Sequence, residues 1–522
     1  MLHTQKLVLS SALAAAFSCA PAAAGPLASL SQLGATFFHS TAPGGIAGSA
    51  GFAAEIGAYD SLTSTLWVTG ISGVDVLNVT SGGLTFNSRI DVSAFGAVNS
   101  VAIYNGIAAF AIENSVNREL PGIVQFYNTN TRSLTSGIHT VTVGSLPDML
   151  TFTADGSKLL VANEATPSSY PMGGSATDPL GGVSIINMAT RTATTVNLSG
   201  SIATTGSGLR SGLPFNYEPE YIAVNGAGTT AYVTLQEHNG IAKLDLNTNQ
   251  FTSIIGLGLK DYSLPGNGID STDRPNPAGS VIALTRQALK GAYQPDTVVA
   301  YEKNGQTFLV MANEGDAQED DGDVARASTI IGLGLTGDAG RINVIKNLSS
   351  AGNIVTMGGR SFSIRDTAGN IVYDSGNLLE AQAIARGIYD DGRSDDKGVE
   401  PEGVALQTIG GRTFAFIGLE RTTQGAVAVF DITDPANSSF VDMIVTNGTR
   451  RPEGLTTFVK DNMIYLAISN EGAAAGNVNN PLMSSALYTL APVPEPETWA
   501  MLLGGLGLMG LYARRRNKKK TA

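Results

Sequence analysis

Acidic residues at regularly spaced positions are the chemically most informative feature of this sequence. Five segments share a proline followed by an acid, an apolar run, a turn, and a second apolar run that ends in glutamate. They are Leu146–Glu164, Glu218–Glu237, Gln294–Asp316, Glu400–Glu420 and Arg451–Glu471, with 17 to 19 residues from the proline to the final glutamate. Carboxylate oxygens are hard ligands, so a group of these acids suits Ca²⁺ or Mg²⁺ better than a transition metal.

Each segment has the pattern of a β-hairpin. In Gln294–Asp316 the turn is Asn304-Gly305, a strong hairpin signal. A hairpin brings the start of its first strand beside the end of its second, which places Asp296 near Glu314. The same argument predicts a set of metal ligands: Asp148, Glu164, Glu220, Glu237, Asp296, Glu314, Asp316, Glu402, Glu420, Glu453 and Glu471. Neutral oxygens are expected from the residues that directly precede four of the second acids: Asn163, Gln236, Asn313 and Asn470.

A purely structural role for these acids stays open. An acid after proline can cap backbone N–H groups, and a glutamate that recurs in every repeat can bind a neighbouring repeat. The less symmetric positions are therefore better site candidates, namely Asn313–Asp316 and Asp395–Gly403. The nearest cations in sequence are Lys397 and Arg421. They are predicted either to bind an anion such as phosphate beside a metal or to pair with neighbouring acids.

The elements that position these acids are predicted to be blades of an all-β β-propeller. Glycine is abundant (62 of 522 residues), charged residues make up 15%, and long helical periodicities are nearly absent. Further strand-like runs follow each hairpin, such as Gly182–Met188 and Arg341–Asn347. With two degenerate units before the clear ones, the repeat predicts about seven blades of four antiparallel strands. A β-solenoid or two sandwiches are the alternatives, and insertions at Gly256–Arg286 and Gly315–Val399 are expected in loops.

Several classes of function are excluded by composition. Cys19 is the single cysteine and lies in the N-terminal segment, so disulfides, thiol chemistry and structural zinc are not expected. The sequence suggests no Ser-His-Asp set, HExxH motif or phosphate-binding loop. The net charge is −12, and the two terminal segments hold seven of the basic residues. An acidic surface argues against nucleic acid and anionic membranes, and suits cations or cation-bridged polysaccharide.

The N-terminal segment predicts export. Met1–Ala24 has a short positive start, an apolar Ala-rich run and small residues before Gly25, which is typical of a signal peptide handled by the Sec machinery. Residues 25–51 are expected to be a lead-in, and residues 52–491 the propeller.

The C-terminal segment, residues 492–522, differs from the rest. Pro494-Glu495-Pro496 precedes an apolar run, Thr498–Ala513, predicted as a transmembrane helix, and a basic cluster, Arg514–Lys520. This pattern resembles the PEP-CTERM sorting signal of Gram-negative bacteria. The resemblance implies a transient inner-membrane anchor that an exosortase recognises at Pro494-Glu495-Pro496 and cuts nearby. A permanent C-terminal anchor is the alternative.

Motifs along the chain resemble the choice-of-anchor I family over most of residues 50–490. They are GNGID (Gly266–Asp270), ANEGD (Ala312–Asp316), FSIRD (Phe362–Asp366), RSDDKGVEPEGV (Arg393–Val404), AFIGLER (Ala415–Arg421) and RPEGL (Arg451–Leu455). The resemblance implies a secreted propeller with an exchangeable anchor and no assigned reaction, although some relatives carry alkaline-phosphatase-like labels. Gln318 stands where relatives commonly have arginine, and Asn163–Thr166 reads NEAT rather than NEGE-like. The missing arginine argues against an anion site and so against a phosphatase.

Two functional hypotheses follow. The first is an exported binding or scaffold module of the cell surface or extracellular matrix, delivered by an exosortase, with a divalent metal at the acidic channel mouth and polysaccharide as a partner. The second is a metal-dependent phosphoesterase, alkaline-phosphatase-like or phytase-like, or another hydrolase in the same place.

Overall fold

The computed structural model describes residues 29–39, 54–168, 178–211, 213, 215–273, 282–317, 322–330, 332–472 and 483–491. The predicted signal peptide, the sorting motif and the apolar run Thr498–Ala513 lie outside these residues. The described part is almost entirely β-structure, with one α-helix, α1 (Leu378–Ala385). Short 3₁₀ helices lie at Ala327–Thr329, Gly337–Arg341, Asp391–Arg393 and Pro435–Asn437. No helix in this part is long and apolar enough to cross a membrane.

Most strands form sheets of neighbours in sequence, which we number in chain order. The first two strands, β1 (Ser29–Gln32) and β2 (Phe37–Phe38), belong to the last sheet. Sheet 1 contains β3 (Gly57–Asp60), β4 (Thr65–Gly70), β5 (Gly73–Thr80) and β6 (Gly83–Asp91). Sheet 2 contains β7 (Val98–Tyr104), β8 (Ile107–Ile112), β9 (Pro121–Asn128), β10 (Ser133–Leu134) and β11 (Thr140–Ser145). Sheet 3 contains β12 (Pro147–Phe152), β13 (Lys158–Asn163), β14 (Gly182–Asn187) and β15 (Thr192–Asn197).

The later sheets depart from this sequential order at two places. Sheet 4 contains β16 (Thr204–Ser207), β17 (Ile222–Val224), β18 (Thr230–Leu235), β19 (Gly240–Asp245) and β20 (Gln250–Leu257). An insertion sheet contains β21 (Leu259–Asp261), β22 (Lys290–Ala292), β25 (Val324–Arg326), β26 (Asn343–Ile345) and β27 (Val355–Thr356). Sheet 5 contains β23 (Val298–Lys303), β24 (Gln306–Asn313), β28 (Ser361–Asp366) and β29 (Ile371–Asp374). Strand β16 pairs with β20 at the edge of sheet 4, and the strands of the insertion sheet lie on both sides of β23 and β24 in sequence.

The last two sheets complete the chain. Sheet 6 contains β30 (Pro401–Ile409), β31 (Arg412–Leu419), β32 (Gly425–Asp431) and β33 (Ser439–Thr446). Sheet 7 contains β34 (Pro452–Lys460), β35 (Met463–Asn470) and β36 (Ser484–Ala491), to which β1 and β2 add.

The sheets are arranged radially, as in a β-propeller. The strand that opens each numbered sheet, β17 in sheet 4, contacts the opening strands of the sheets on either side, and sheet 7 contacts sheet 1 in the same way. Apolar faces pack between adjacent sheets, for example Trp67 of sheet 1 near Phe110 of sheet 2, with ring centroids 6.0 Å apart. The central strands are buried on both faces, as in β31, where six consecutive residues are buried. This explains why their sequences are continuous apolar runs rather than alternating ones.

The two predicted insertions do not form separate loops. Strands β21 and β22 flank the first insertion, β25 to β27 come from the second, and β22 pairs in parallel with β27. The insertion sheet has its own core, which includes Tyr262, Ile269 and Ile342. Arg341–Asn347 was predicted as a strand of the hairpin unit. That placement is wrong, because β26 joins the insertion sheet and β28 supplies the third strand of sheet 5.

Strands at the two ends of the described domain close the ring of sheets. Strand β1 pairs with β36 in an antiparallel register that sets Ser29 opposite Ala491, so part of the predicted lead-in completes sheet 7. Just after β2, His39 Nε2 lies 2.9 Å from Ser485 Oγ, and Nδ1 lies 2.8 Å from Asp75 Oδ2. This Ser-His-Asp arrangement was not predicted from the sequence. All three residues are 0% exposed, so they join sheets 1 and 7 rather than meet a substrate.

Candidate functional site

Each repeat hairpin brings its two acids to the same end of the sheet. In sheet 3 Pro147 pairs with Asn163, and in sheet 6 Pro401 pairs with Leu419, so each proline lies opposite the residue before the second acid. Sheet 7 has the same register. We call the end of the ring that carries these acids the mouth, and the opposite end, with the hairpin turns, the turn face.

A bulge shapes each of these corners. The pairing register shifts between the proline and the third residue after it in sheets 3, 6 and 7. The shift falls on the acid that follows the proline. Because a bulge re-aims side chains locally, it accounts for acids of neighbouring sheets facing one central cavity.

The residue before the proline has an unusual backbone conformation. Leu146, Gln294, Glu400 and Arg451 have φ between 42° and 56°, in the left-handed region, although residues before proline ordinarily favour extended conformations. In sheet 6 the carbonyl of Glu400 accepts a 2.9 Å hydrogen bond from the N–H of Glu420. Equivalent bonds join Leu146 to Glu164 and Arg451 to Glu471. This bond ties the two sides of the corner together.

The acids after the prolines line the central channel. A cavity of about 260 Å³ at the mouth is bordered by residues that belong to the opening strand of each of the seven numbered sheets or lie just before it. They include Glu55, Asn99, Asp148, Tyr221, Asp296, Gly403 and Glu453. Glu220 and Glu402 belong to the same group of acids, because, besides burial, the charges of these neighbours raise their pKa values. Asp148 and Asp296 raise the pKa of Glu220, and Glu453 and Asp296 raise the pKa of Glu402. We call Glu55, Asp148, Glu220, Asp296, Glu402 and Glu453 the inner acids.

Glu55 is an inner acid that the sequence repeat does not predict. It precedes β3 at the position that corresponds to the acid of the other units, but no proline stands before it. The corresponding residue of sheet 2 is Asn99. The available signal was an acid two residues before a strand, at the correct position of the repeat.

The inner acids have raised pKa values. Burial raises the pKa of Asp148 to about 8, with the charge of Glu164 adding to the effect. Burial, and then the charges of neighbouring acids, also raise the pKa values of Glu55, Glu220, Asp296, Glu402 and Glu453 well above their usual range. Removing water from a carboxylate and placing it beside others both disfavour ionisation. A cation in the channel would reverse this preference.

The second acids of the hairpins lie further out and several form ion pairs. Glu420 Oε1 lies 3.0 Å from Arg421 and 2.8 Å from Arg451, and Arg451 also lies 3.0 Å from Glu471. In the earlier sheets, Glu164 accepts a hydrogen bond from Thr166. Glu237 is 8% exposed and its Oε2 has no hydrogen-bond partner among the described residues. Ion pairs between the second acids and cations are therefore concentrated around sheets 5, 6 and 7.

Lys397 is the centre of the densest ion-pair network. Its Nζ lies 2.9 Å from Glu314, 3.2 Å from Glu400 and 3.6 Å from Asp316. Arg421 lies 3.5 Å from Glu400 and 3.0 Å from Glu420. Of the two alternatives for Lys397 and Arg421, the geometry corresponds to pairing with acids.

Two groups of three acids are close enough to hold a metal ion. In the described residues, ligand atoms of Asp296, Glu314 and Glu402 lie within 4.8 Å of one another, as do those of Glu314, Glu400 and Glu420. In the second group, Glu400 already forms ion pairs with Lys397 and Arg421. We call the first group the open triad.

The charges of the open triad are only partly compensated. Burial would raise the pKa of Glu314, but Lys397 and a 2.8 Å hydrogen bond from Gln236 outweigh burial and lower it. No cation of the described chain forms an ion pair with Asp296 or Glu402. Glu402 Oε2 is buried and has no hydrogen-bond partner there. This donor set fits a hard divalent cation.

Three of the four predicted neutral ligands face elsewhere. Asn163 donates a 3.0 Å hydrogen bond to Ser184, Asn313 donates 3.2 Å to Ser363, and Asn470 bonds to backbone of its own sheet. The prediction is wrong for these residues because successive side chains of a strand point to opposite sides. Gln236 does meet an acid at the mouth, through its bond to Glu314.

Comparisons with known proteins agree with the sequence motifs. The Choice-of-anchor I domain family matches residues 55–435, and the PEP-CTERM protein-sorting motif matches residues 492–516. No curated protein matches the chain.

Two solved structures with low sequence identity illustrate the similarity. Hydrazine synthase of Kuenenia stuttgartiensis is 11% identical, with a TM-score of 0.47, over 81% of this chain and 94% of that one. The β-propeller domain of Myceliophteria thermophila Cps50 (Swd1) is 8% identical, with a TM-score of 0.42, over 89% of this chain and 99% of that one.

Proposed function

Because the chain belongs to the choice-of-anchor I family and carries a PEP-CTERM sorting motif, we propose that it is an exported surface or matrix protein whose propeller is a cation-dependent binding module. The sorting motif implies processing by an exosortase-type system. The proposal includes a leader handled by the Sec machinery, a transient anchor in the inner membrane, seven blades, and Ca²⁺ or Mg²⁺ at the mouth.

The open triad is the observation that carries this proposal. Asp296, Glu314 and Glu402 converge within 4.8 Å, and two of the three lack an ion-pair partner in the described chain. Isolated carboxylates in such a setting are unfavourable unless they bind protons or a metal. A bound divalent ion would supply positive charge and free coordination positions, which oxygen-rich ligands such as acidic polysaccharide can share.

Metal content and thermal stability test the proposal. We expect the purified chain to contain Ca²⁺, to lose melting temperature on EDTA treatment, and to regain it with added Ca²⁺, because binding to the folded state stabilises it by mass action. Absence of bound metal, together with equal melting temperatures in EDTA and Ca²⁺, would contradict a metal site.

A pair of variants localises the metal. Glu402→Gln removes one ligand charge at the mouth, and Asp461→Asn removes one charge at an exposed turn on the opposite face. We expect the first to weaken Ca²⁺ binding at least tenfold, about 1.4 kcal/mol, and the second to leave it unchanged. Equal affinities would place the ion elsewhere. Removing an uncompensated acid relieves repulsion, so Glu402→Gln is expected to remain folded without metal.

A metal-dependent phosphoesterase is the other candidate, and the geometry favours it less. Such an enzyme needs cationic groups that can hold a phosphate beside the metal. Lys397 and Arg421 are already paired with Glu314, Glu400 and Glu420. Hydrolysis of p-nitrophenyl phosphate with added Ca²⁺ or Mg²⁺, lost in Glu402→Gln and kept in Asp461→Asn, would reverse this preference.

A further inference from the structure

One cation borders the acidic cavity at the mouth. Among the described residues around this cavity of about 260 Å³, Arg118 is the only basic one, whereas four are acidic. Arg118 lies in the connection between β8 and β9 of sheet 2, the one numbered sheet without an inner acid, where Asn99 stands instead. The sheet that lacks an acid therefore supplies the positive charge.

Arg118 has little to bind within the described part of the chain. Its side chain is 44% exposed, and its one ion-pair partner there is Glu113, whose Oε2 lies 3.9 Å from Nε, beyond hydrogen-bond distance. Lys397 and Arg421, by contrast, lie about 3 Å from their acids. A guanidinium presents five N–H donors in a planar fork. The donors of Arg118 are therefore available to a ligand.

The loop that carries this arginine is held in place by polar side chains. Asn114 Oδ1 accepts a 3.0 Å hydrogen bond from the N–H of Val116, and Asn117 Oδ1 accepts one of 3.0 Å from the N–H of Glu119. Ser168, which follows β13 of sheet 3, donates its N–H to Glu119 over 2.8 Å. A loop that is already ordered loses little conformational freedom when a ligand binds.

A second, more open cavity of about 640 Å³ meets the inner cavity at Arg118. It is bordered by residues 113–118 and by Ser168, most of which carry amide, hydroxyl or charged side chains. A cavity of this size is typical of small-molecule sites, and such polar groups can bond to the hydroxyls of a sugar. Arg118 thus lies where an outer polar cavity joins the inner acidic one.

We propose that Arg118 binds the carboxylate of a uronate unit of an acidic polysaccharide, with the sugar ring in the outer cavity and the carboxylate directed toward a divalent ion in the inner cavity. This inference rests on the proposed function, which supplies the ion. It names the class of ligand and assigns Arg118 as the residue that recognises the negative charge of that ligand.

The balance of charge favours a carboxylate over a phosphate. One guanidinium matches one carboxylate in a bidentate pair. A phosphate monoester carries about 1.5 to 2 negative charges at pH 7. Arg118 already interacts electrostatically with Glu113, Asp148 and Glu164, so these acids lie near the place where the anion would bind. A second negative charge on the ligand would meet repulsion that a single arginine does not offset.

Calorimetric titration of the full chain with trigalacturonate in the presence of Ca²⁺ tests the proposal. The methyl ester of the same trisaccharide is uncharged and serves as the matched ligand control. Arg118→Gln removes the guanidinium at the mouth. Arg386→Gln removes an arginine that pairs with Asp442 on the outer strand of sheet 6. Both variants should keep the native melting temperature, because exposed ion pairs contribute little to stability.

We expect Arg118→Gln to bind trigalacturonate at least tenfold more weakly than the native chain, and Arg386→Gln to bind it equally. The methyl ester should bind the native chain at least tenfold more weakly than the acid. Native affinity in Arg118→Gln, equal affinities for acid and ester, or no binding of trigalacturonate to the native chain would each overturn the proposal. Tighter binding of inorganic phosphate, or equally tight binding of free galacturonate, would overturn the assigned class of ligand.

Ca²⁺ affinity in the absence of sugar separates this proposal from the proposed function. It should be unchanged or higher in Arg118→Gln, because that variant removes a positive charge from the cavity. A native chain that binds Ca²⁺, but whose affinity for trigalacturonate does not depend on Arg118, would contradict only this inference. A native chain that binds no Ca²⁺, but still needs Arg118 for trigalacturonate, would contradict the metal site and keep the role of the arginine.

Discussion

Lys397 Nζ lies 2.9 Å from Glu314 Oε1, and Glu314 is the carboxylate shared by the two acidic triads. On one side of Glu314, Lys397 and Arg421 neutralise Glu400 and Glu420. On the other side, Asp296 and Glu402 have no such partner in the described chain. The mouth therefore contains a triad compensated by side chains next to one that requires protons or a metal.

Replacing Lys397 should destabilise the protein in a manner that calcium partly repairs. Lys397→Met leaves Glu314 and the fully buried Glu400 with less compensation, and breaking a buried pair costs about 3–5 kcal/mol. Urea unfolding in EDTA measures the loss. Added Ca²⁺ should recover more stability in the variant than in the native chain, because a divalent ion can replace the missing charge.

The control for this change is Lys460→Met. Lys460 pairs with Asp461, whose side chain is 80% exposed, and exposed pairs contribute little. We expect this variant to unfold at nearly the native urea concentration. A Lys397→Met variant as stable as Lys460→Met would show that the network around Glu314 is not needed for the fold.

The metal-free protein should be more stable at pH 5 than at pH 8. A carboxyl group whose pKa is higher in the folded than in the unfolded state binds more protons when folded, so its contribution is lost as the pH rises. For Asp148 the window runs from an unfolded pKa of about 4 to a folded pKa of about 8, and for Glu420 it ends at about 7. Glu314 and Asp75 have lowered pKa values and act below this window.

The buried His39 and His238 also have lowered pKa values and oppose the effect between pH 5 and about 6.5, where only the unfolded state protonates them. The acids with raised pKa values outnumber these two histidines, so the net stability is expected to fall.

Melting temperatures in EDTA across this pH range provide the measurement. Asp148→Asn should make the slope smaller, Asp461→Asn should leave it unchanged, and saturating Ca²⁺ should flatten it in the native chain. A melting temperature that rises from pH 5 to pH 8 in EDTA would contradict raised pKa values at the mouth.

Calcium binding should release protons. A metal binds the ionised carboxylate, so inner acids that hold protons at pH 7.5 must lose them when the ion enters. Calorimetric titrations in two buffers with different ionisation enthalpies should give different apparent binding enthalpies, corresponding to at least about one proton per ion. Identical enthalpies in the two buffers would mean that the site is already ionised.

Replacing His39 should loosen the closure of the ring. Burial lowers the pKa of His39, so its imidazole is neutral and bridges Ser485 and Asp75 by hydrogen bonds. His39→Phe keeps an aromatic side chain but removes both hydrogen bonds. Asp75 still accepts bonds of 2.5 and 2.8 Å from Arg89, whereas Ser485 Oγ loses its bond to His39. We expect a loss of about 1–3 kcal/mol, since a buried unsatisfied group costs roughly that much.

Hydrogen exchange distinguishes this local effect from general instability. Amides of β1 and β36 should exchange faster in His39→Phe than in His139→Phe, because the His139 side chain is only half-buried and lies 3.1 Å from a local partner, the carbonyl of Gly137. Unchanged protection of these two strands in His39→Phe would remove His39 from the closure.

The repeat hairpins were predictable because local signals define them. Proline before an acid, Asn304-Gly305 and similar turns, and apolar runs of the correct length together fix both ends of each hairpin. The gathering of their acids at one mouth follows from that pattern once the units are arranged radially. The sorting motif was also readable from a short C-terminal segment, and the family model for that motif matches residues 492–516.

Other features depend on contacts between distant residues, which local patterns do not encode. Arg341–Asn347 has the composition of a strand, but which sheet it joins is decided by the fold of both insertions. The left-handed conformation at Glu400 and Arg451 runs against the usual preference before proline. The contact between His39 and Ser485 joins residues 446 positions apart. Glu55 could have been predicted from the sequence, because it occupies the position of the first acid in the repeat and lacks only the preceding proline.

The insertion sheet has a consequence for how this domain can be altered. Its strands come from two stretches of chain: β21 and β22 precede the hairpin β23–β24 of sheet 5, and β25 to β27 follow it. The two stretches are joined by the parallel pairing of β22 with β27. Deleting either insertion alone would strip a sheet edge and open the core around Tyr262 and Ile342. The two segments therefore form a single structural unit, although they are separate in sequence. A deletion or a transplant would have to include both.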